Sequence, residues 1–111
     1  MSTEPALMSL TAVAKAIVKR QFSSREVTRS CLDRIVQWQT HLNAFMAVEA
    51  DAALVAAEAA DTAFAKGRSR GALHGVPMAH KDMYYRKGEI STGGSDIRKD
   101  WRAPVEISPL R

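Results

Sequence analysis

Two stretches of the chain hold residue types that can do chemistry at a useful spacing. Lys81 and Asp82 end the run Leu73-His74-Gly75-Val76-Pro77-Met78-Ala79-His80, and Ser91-Thr92-Gly93-Gly94-Ser95 follows soon after. Gly75 and Pro77 leave the first run poor in helix formers, so the spacing predicts a short strand ending near Lys81. On a strand, Pro77, Ala79, Lys81 and Met83 share one face, and Val76, Met78, His80 and Asp82 share the other. An amine set among small and apolar neighbours is drawn out of water and gives up its proton more readily, which a proton acceptor requires. Asp82, on the opposite face, need not neutralise it. The plain alternative is a surface lysine at a strand end. In the second stretch, two glycines between hydroxyl residues make a loop whose amides can approach a ligand closely, as in an anion-binding nest. A simple turn is the alternative there.

Three helices are expected to position these stretches. Ser9 precedes the stripe Leu10, Val13, Ala14, Ile17 and Val18, which predicts a helix over about 9–21. Ser23-Ser24-Arg25-Glu26 reads as a capping box that opens a second helix over about 23–40. Its apolar face, Val27, Cys31, Leu32, Ile35 and Trp38, is expected to pack on the first helix through Phe22. Residues 43–48 partly alternate and are expected to form a short strand. Asp51 is expected to cap a third helix over 51–66 that Gly67 stops. That helix is rich in alanine and has a thin apolar face, so it is expected to lie across a larger surface. The polar link Arg68-Ser69-Arg70-Gly71 then marks an internal boundary. Residues 1–67 read as a helical layer, 68–102 as strand and loop, and 103–111 as a divergent tail, all parts of one incomplete domain.

The 111 residues are 46% hydrophobic and 25% charged, the balance of a soluble globular chain, which sets aside disordered and fibrous classes. Residues 1–65 carry six basic and seven acidic groups, residues 66–111 ten and five, so the formal charge of +4 arises in the second part. Those basic residues are scattered among Gly, Pro and Ser without aromatic interleaving, and nucleic acid is not favoured as a partner. The lone Cys31 cannot form an intrachain disulfide, and the first residues lack the pattern of a signal peptide, which points to the cytoplasm. No apolar run approaches the ~20 residues that span a bilayer, so a membrane is not expected as a partner. His74 and His80 do not have zinc-ligand spacing, and no metal is expected.

Taken in order, Leu73 through Asp82, then Gly88, then Ser91-Thr92-Gly93-Gly94-Ser95, this chain resembles the N-terminal part of the amidase signature family. These serine hydrolases include bacterial amidases and the A subunits of tRNA-dependent amidotransferases. The preceding helices and the Leu42-Asn43-Ala44-Phe45 segment agree, and the resemblance covers residues 7–102. It implies an α/β fold: N-terminal helices and first strands of a mixed-sheet α/β/α sandwich. It also implies a Ser–cis-Ser–Lys triad in which Lys81 is the lysine, Gly93, Gly94 and Ser95 line an active-site loop, and no cofactor is needed. The substrate is then a small-molecule amide.

The family's two serines lie further downstream, in a Gly/Ser-rich stretch. Here the one serine after Ser95 is Ser108, which has no such surroundings, and Glu106 to Arg111 does not continue the family pattern. The expectation is a truncated hydrolase of carboxamide C–N bonds that carries only the lysine and is inactive alone, with the remainder of the domain as a possible separate chain. The alternatives are a non-enzymatic helical interaction module, one half of a split amidase, or, nearer, the A subunit of a tRNA-dependent amidotransferase. A generic amidase is preferred to the last.

Overall fold

Ser9 and Ser23 each open a helix by offering a hydroxyl acceptor to the first turn. In the computed structural model, which describes residues 4–107, Ser9 Oγ accepts from the Ala12 N–H at 3.2 Å and starts α1 (Leu10–Val18). Ser108 and the last residues of the tail expected over 103–111 lie outside the described residues. Ser23 starts α2 (Ser24–Leu42) with a reciprocal capping box: its Oγ accepts from the Glu26 N–H at 3.0 Å, and its own N–H donates to Glu26 Oε2 at 3.3 Å.

A helix start leaves further amides without partners, and a distant residue supplies them here. The Asp61 carboxylate, from α3 (Ala50–Ala65), accepts from the N–H groups of Ser24 at 2.7 Å and Arg25 at 3.1 Å. A negative group thereby sits at the positive end of the α2 dipole.

Each of α1, α2 and α3 ends on a left-handed residue. Arg20 has φ 56°, and the Gln21 N–H donates back to the Ala16 carbonyl at 2.9 Å. Asn43 has φ 46° after α2, and Gly67 has φ 72° after α3. The start of α3 differs from expectation, because Glu49 is the N-cap residue and makes no side-chain cap bond. Asp51 lies inside the first turn instead, where its charge still favours the helix end.

The first compact unit runs to Pro77, and the second begins at Met78. In the first, Val13, Ile17 and Val27 are buried together, and Met8, Phe22, Cys31, Phe64 and Val76 pack around them. This cluster draws on α1, the first turns of α2 and the end of α3. Trp38, on a later turn of α2, is left 43% exposed and outside it. Burial pushes the Cys31 thiol above its ordinary range. The segment after α3 is bound into the same unit rather than divided from it at the Arg68–Gly71 link. His74 Nδ1 accepts from the Arg70 N–H at 3.2 Å, so Nε2 carries the proton and donates to the Ala60 carbonyl at 3.0 Å. The Gly75 carbonyl accepts from Ser24 Oγ at 2.5 Å.

No strand forms among the described residues, so the sheet of the expected α/β fold is not seen in them. Residues 43–48 stay irregular for a local reason. The left-handed turn at Asn43 brings the chain back along α2, where the Gln39 side-chain amide pairs with Phe45. Its Oε1 accepts from the Phe45 N–H at 3.1 Å, and its Nε2 donates to the Phe45 carbonyl at 2.7 Å. The expected strand before Lys81 is also absent. Gly75 takes φ 80° in a turn, and the residues from there to Lys81 are irregular with no ladder partner.

The second unit is built on an antiparallel approach of two segments. The Gly88 N–H donates to the Ala103 carbonyl at 2.8 Å, the Ala103 N–H to Glu89 at 2.9 Å, and the Ser91 N–H to Trp101 at 3.1 Å. The pairing amounts to one isolated bridge, between Ile90 and Arg102, and does not extend into a ladder. Arg98 lies over the Trp101 ring, 4.1 Å from its centroid, and Nη2 donates to the Tyr85 hydroxyl at 3.3 Å.

Candidate functional site

The candidate site lies within the second unit, where Asp82 joins the lysine segment to the glycine-rich loop. Its carboxylate accepts from the Thr92 N–H at 3.0 Å and from the Thr92 hydroxyl in a shorter bond. Its backbone carbonyl accepts from the Gly93 N–H at 3.0 Å and from Ser91 Oγ at 3.4 Å. Ser91 and Thr92 are buried polar residues, and these bonds supply what their burial requires.

Lys81 is next to this junction in sequence, and it is exposed. The apolar enclosure expected for it is not formed, since Ala79 and Met83, which were to share its face, are exposed as well. Among the described residues, its ammonium makes no ion pair. The neighbouring Asp82 carboxylate bonds Thr92.

Gly93 and Gly94 have φ 59° and 79°, and the Ser95 N–H donates to the Thr92 carbonyl at 3.0 Å. Two successive positive φ angles inside such a bond are the pattern of a type I′ turn, which glycine adopts without strain. The Gly94 N–H donates to Thr92 Oγ1 at 3.0 Å. With Gly93 bonded to Asp82, all three amides of the Gly93-Gly94-Ser95 stretch are used inside the chain. The loop therefore does not present them as an anion nest. Ser95 Oγ accepts from the Ile97 N–H at 3.3 Å and opens the short 3-10 turn Asp96–Arg98.

Tyr84 and Tyr85, the aromatic pair between the two stretches, part company. Tyr84 is exposed and meets the His80 ring edge-on at 6.4 Å, whereas Tyr85 packs against Trp101 at 5.0 Å between centroids. Sequence reasoning missed Asp82 and Thr92 as a pair. The available signal was an acid beside the candidate lysine and a threonine preceding a double glycine, both in one short interval. Among the described residues, no group of His, Cys, Asp or Glu side chains is placed to hold a metal ion. None of their helices is long and apolar enough to cross a membrane.

A family model described as amidase matches residues 26–107, which takes in Lys81, Asp82 and the whole glycine-rich loop. The chain belongs to the amidase family. Within it, the chain is similar to the glutamyl-tRNA(Gln) amidotransferase A subunit of Ectopseudomonas mendocina (strain ymp), 40% identical over 101 residues, covering 91% of this chain and 21% of that protein. It is 43% identical over 99 residues to the protein of the same name from Acidothermus cellulolyticus (strain ATCC 43068 / DSM 8971 / 11B), covering 89% of this chain and 20% of that one. The amidase-family chain thus spans about one fifth of the length of these curated relatives.

Proposed function

We propose that this amidase-family chain contributes Lys81 to the cleavage of a carboxamide C–N bond by a Ser–cis-Ser–Lys relay. The observation that carries the reading is the match of residues 26–107 to the amidase family, which takes in Lys81, Asp82 and the glycine-rich loop that Asp82 holds through Thr92.

In this reading, Lys81 as the free amine accepts the proton of a bridging serine. That serine takes the proton of the nucleophilic serine as its oxygen bonds to the amide carbonyl carbon. Collapse of the tetrahedral intermediate breaks the C–N bond, and the nitrogen leaves with a proton returned through the relay. Water then attacks the acyl ester and releases the acid. Both serines belong to the family's Gly/Ser-rich stretch, and Gly93, Gly94 and Ser95 line the site. The 111 residues alone do not turn over amides. The working enzyme is a larger cytoplasmic domain, an α/β/α sandwich in which the residues before Lys81 join a mixed sheet.

The names of the relatives favour a more specific form of the same chemistry. The A subunit of an amidotransferase passes amide nitrogen to an acceptor instead of losing it to solvent, and it works with other chains. On that form, the partners of this chain are the rest of the A-subunit domain and the further chains of a glutamyl-tRNA(Gln) amidotransferase. The test is ammonia release from a carboxamide by the 111 residues alone and when supplied with the rest of the Ectopseudomonas mendocina protein. Turnover is expected only in the second case, and only with Lys81 intact. Turnover by the 111 residues alone overturns the reading.

A further inference from the structure

We infer that Asp82 is a positioning residue, which fastens the Ser91–Gly94 loop to the backbone that carries Lys81 so that loop and lysine keep one register during amide cleavage. The inference rests on the reading of Lys81 given above. Four hydrogen bonds converge on this single residue: two from Thr92 to its carboxylate, and one each from Gly93 and Ser91 to its carbonyl. A plain turn needs only the two glycines. The burial of Thr92 and Ser91, at 9% and 3% exposure, together with a carboxylate to receive them, goes beyond what a turn requires.

The glycines themselves have nothing within 4 Å of where a Cβ would stand, so one side of the turn is open while Thr92 anchors the loop on Asp82. The Thr92 hydroxyl is a relay within the clamp, donating to Asp82 and accepting from the Gly94 N–H. Loss of the carboxylate therefore frees the Thr92 amide and releases the Thr92 hydroxyl that holds the Gly94 N–H, and lets the loop drift from the lysine even though the Gly93 bond to the backbone carbonyl is kept. A misplacement of about 1 Å at a reacting centre costs on the order of 10²-fold in rate.

The test uses the chain supplied with the rest of the Ectopseudomonas mendocina protein, with kcat and KM for ammonia release measured separately. Asp82→Ala is expected to lower kcat on the order of 10²-fold, with KM held within about threefold. Thr92→Val follows it in direction, and Thr92→Ser, which keeps the hydroxyl, stays within about threefold of the parent. An Asp82→Ala variant with kcat within about twofold of the parent overturns the inference, as does failure of Thr92→Ser to preserve activity. Amide hydrogen exchange in the 111-residue chain provides the second readout. The Thr92 and Gly94 amides are expected to exchange at least about tenfold faster in Asp82→Ala, with α2 amides unchanged, and unaltered exchange contradicts the clamp. If Lys81→Ala keeps full turnover, the reading of Lys81 falls, while exchange at Thr92 still decides on Asp82.

Discussion

Asp82 accepts both the backbone N–H and the side-chain hydroxyl of Thr92, the first at 3.0 Å. One threonine thereby occupies the only carboxylate adjacent in sequence to Lys81, and the loop that follows inherits its geometry from that attachment. Gly93 and Gly94 complete the turn with φ 59° and 79°.

Those two angles lead to the first prediction. A side chain in the left-handed region costs roughly 1–2 kcal/mol per residue, so Gly94→Ala should loosen the turn by about that much. Gly94→Asn should do less harm, because asparagine tolerates the region better. Exchange of the Ser95 amide, which donates to Thr92, reports on the turn. Equal exchange in the alanine variant and the parent would show that the turn does not depend on glycine.

At the other unit's helix start, Asp61 serves two amides that no local residue reaches. Asp61→Ala leaves both without their acceptor and should cost about 1–3 kcal/mol. Ser23→Ala, which removes the local cap, should cost about 1 kcal/mol. Urea unfolding followed by helical circular dichroism measures both. A larger loss from Ser23 than from Asp61 would mean that the distant cap is dispensable.

Gly75 faces two constraints at once. Its φ is 80°, and a Cβ there would meet Ser24 Cβ at 3.2 Å and Ser24 Oγ at 3.3 Å. Gly75→Ala should therefore exceed the roughly 1–2 kcal/mol of backbone strain alone. The same urea measurement on a Gly67→Ala variant isolates the strain, because Gly67 has open space around it. Equal losses at the two positions would rule out the contact with Ser24.

Near the N-terminus, the Arg34 guanidinium donates to both carboxylate oxygens of Glu4, at 2.8 and 2.7 Å. This hydrogen bonding outweighs an opposing desolvation and, with charge attraction added, holds the Glu4 carboxyl below its usual range. Because the folded form titrates lower than the unfolded one, the pair stabilises the fold above the ordinary carboxylate range. That contribution is lost as pH falls through the lowered value. A carbon-detected NMR titration of Glu4 should give a midpoint below that in Arg34→Gln. Coincident midpoints would contradict the pairing.

The features legible in the sequence were those set by neighbours a turn away. Ser23 and Glu26 lie three apart, and the capping box they spell is formed. Gly67 ends α3 in the left-handed conformation for an equally local reason. Strand formation near 43–48 and before Lys81 depended on ladder partners that alternation cannot reveal, and Gln39 took the role of partner for Phe45. The same distinction runs through the site. Order and spacing singled out Lys81, Gly93, Gly94 and Ser95 as a family pattern. Alternation along a strand could place Asp82 away from Lys81 but could not find Thr92, which reaches it only through the fold of the second unit. The desolvation expected of Lys81 rested on the same strand, and Lys81 is exposed.

The central claim is that Lys81 moves the proton in amide cleavage. The most direct measurement is ammonia release from a carboxamide by the chain supplied with the rest of the Ectopseudomonas mendocina protein, comparing Lys81→Ala with the parent at equal assembly. A proton-transfer role predicts a loss in kcat of about 10²–10⁴-fold. Undiminished turnover in Lys81→Ala would contradict the account.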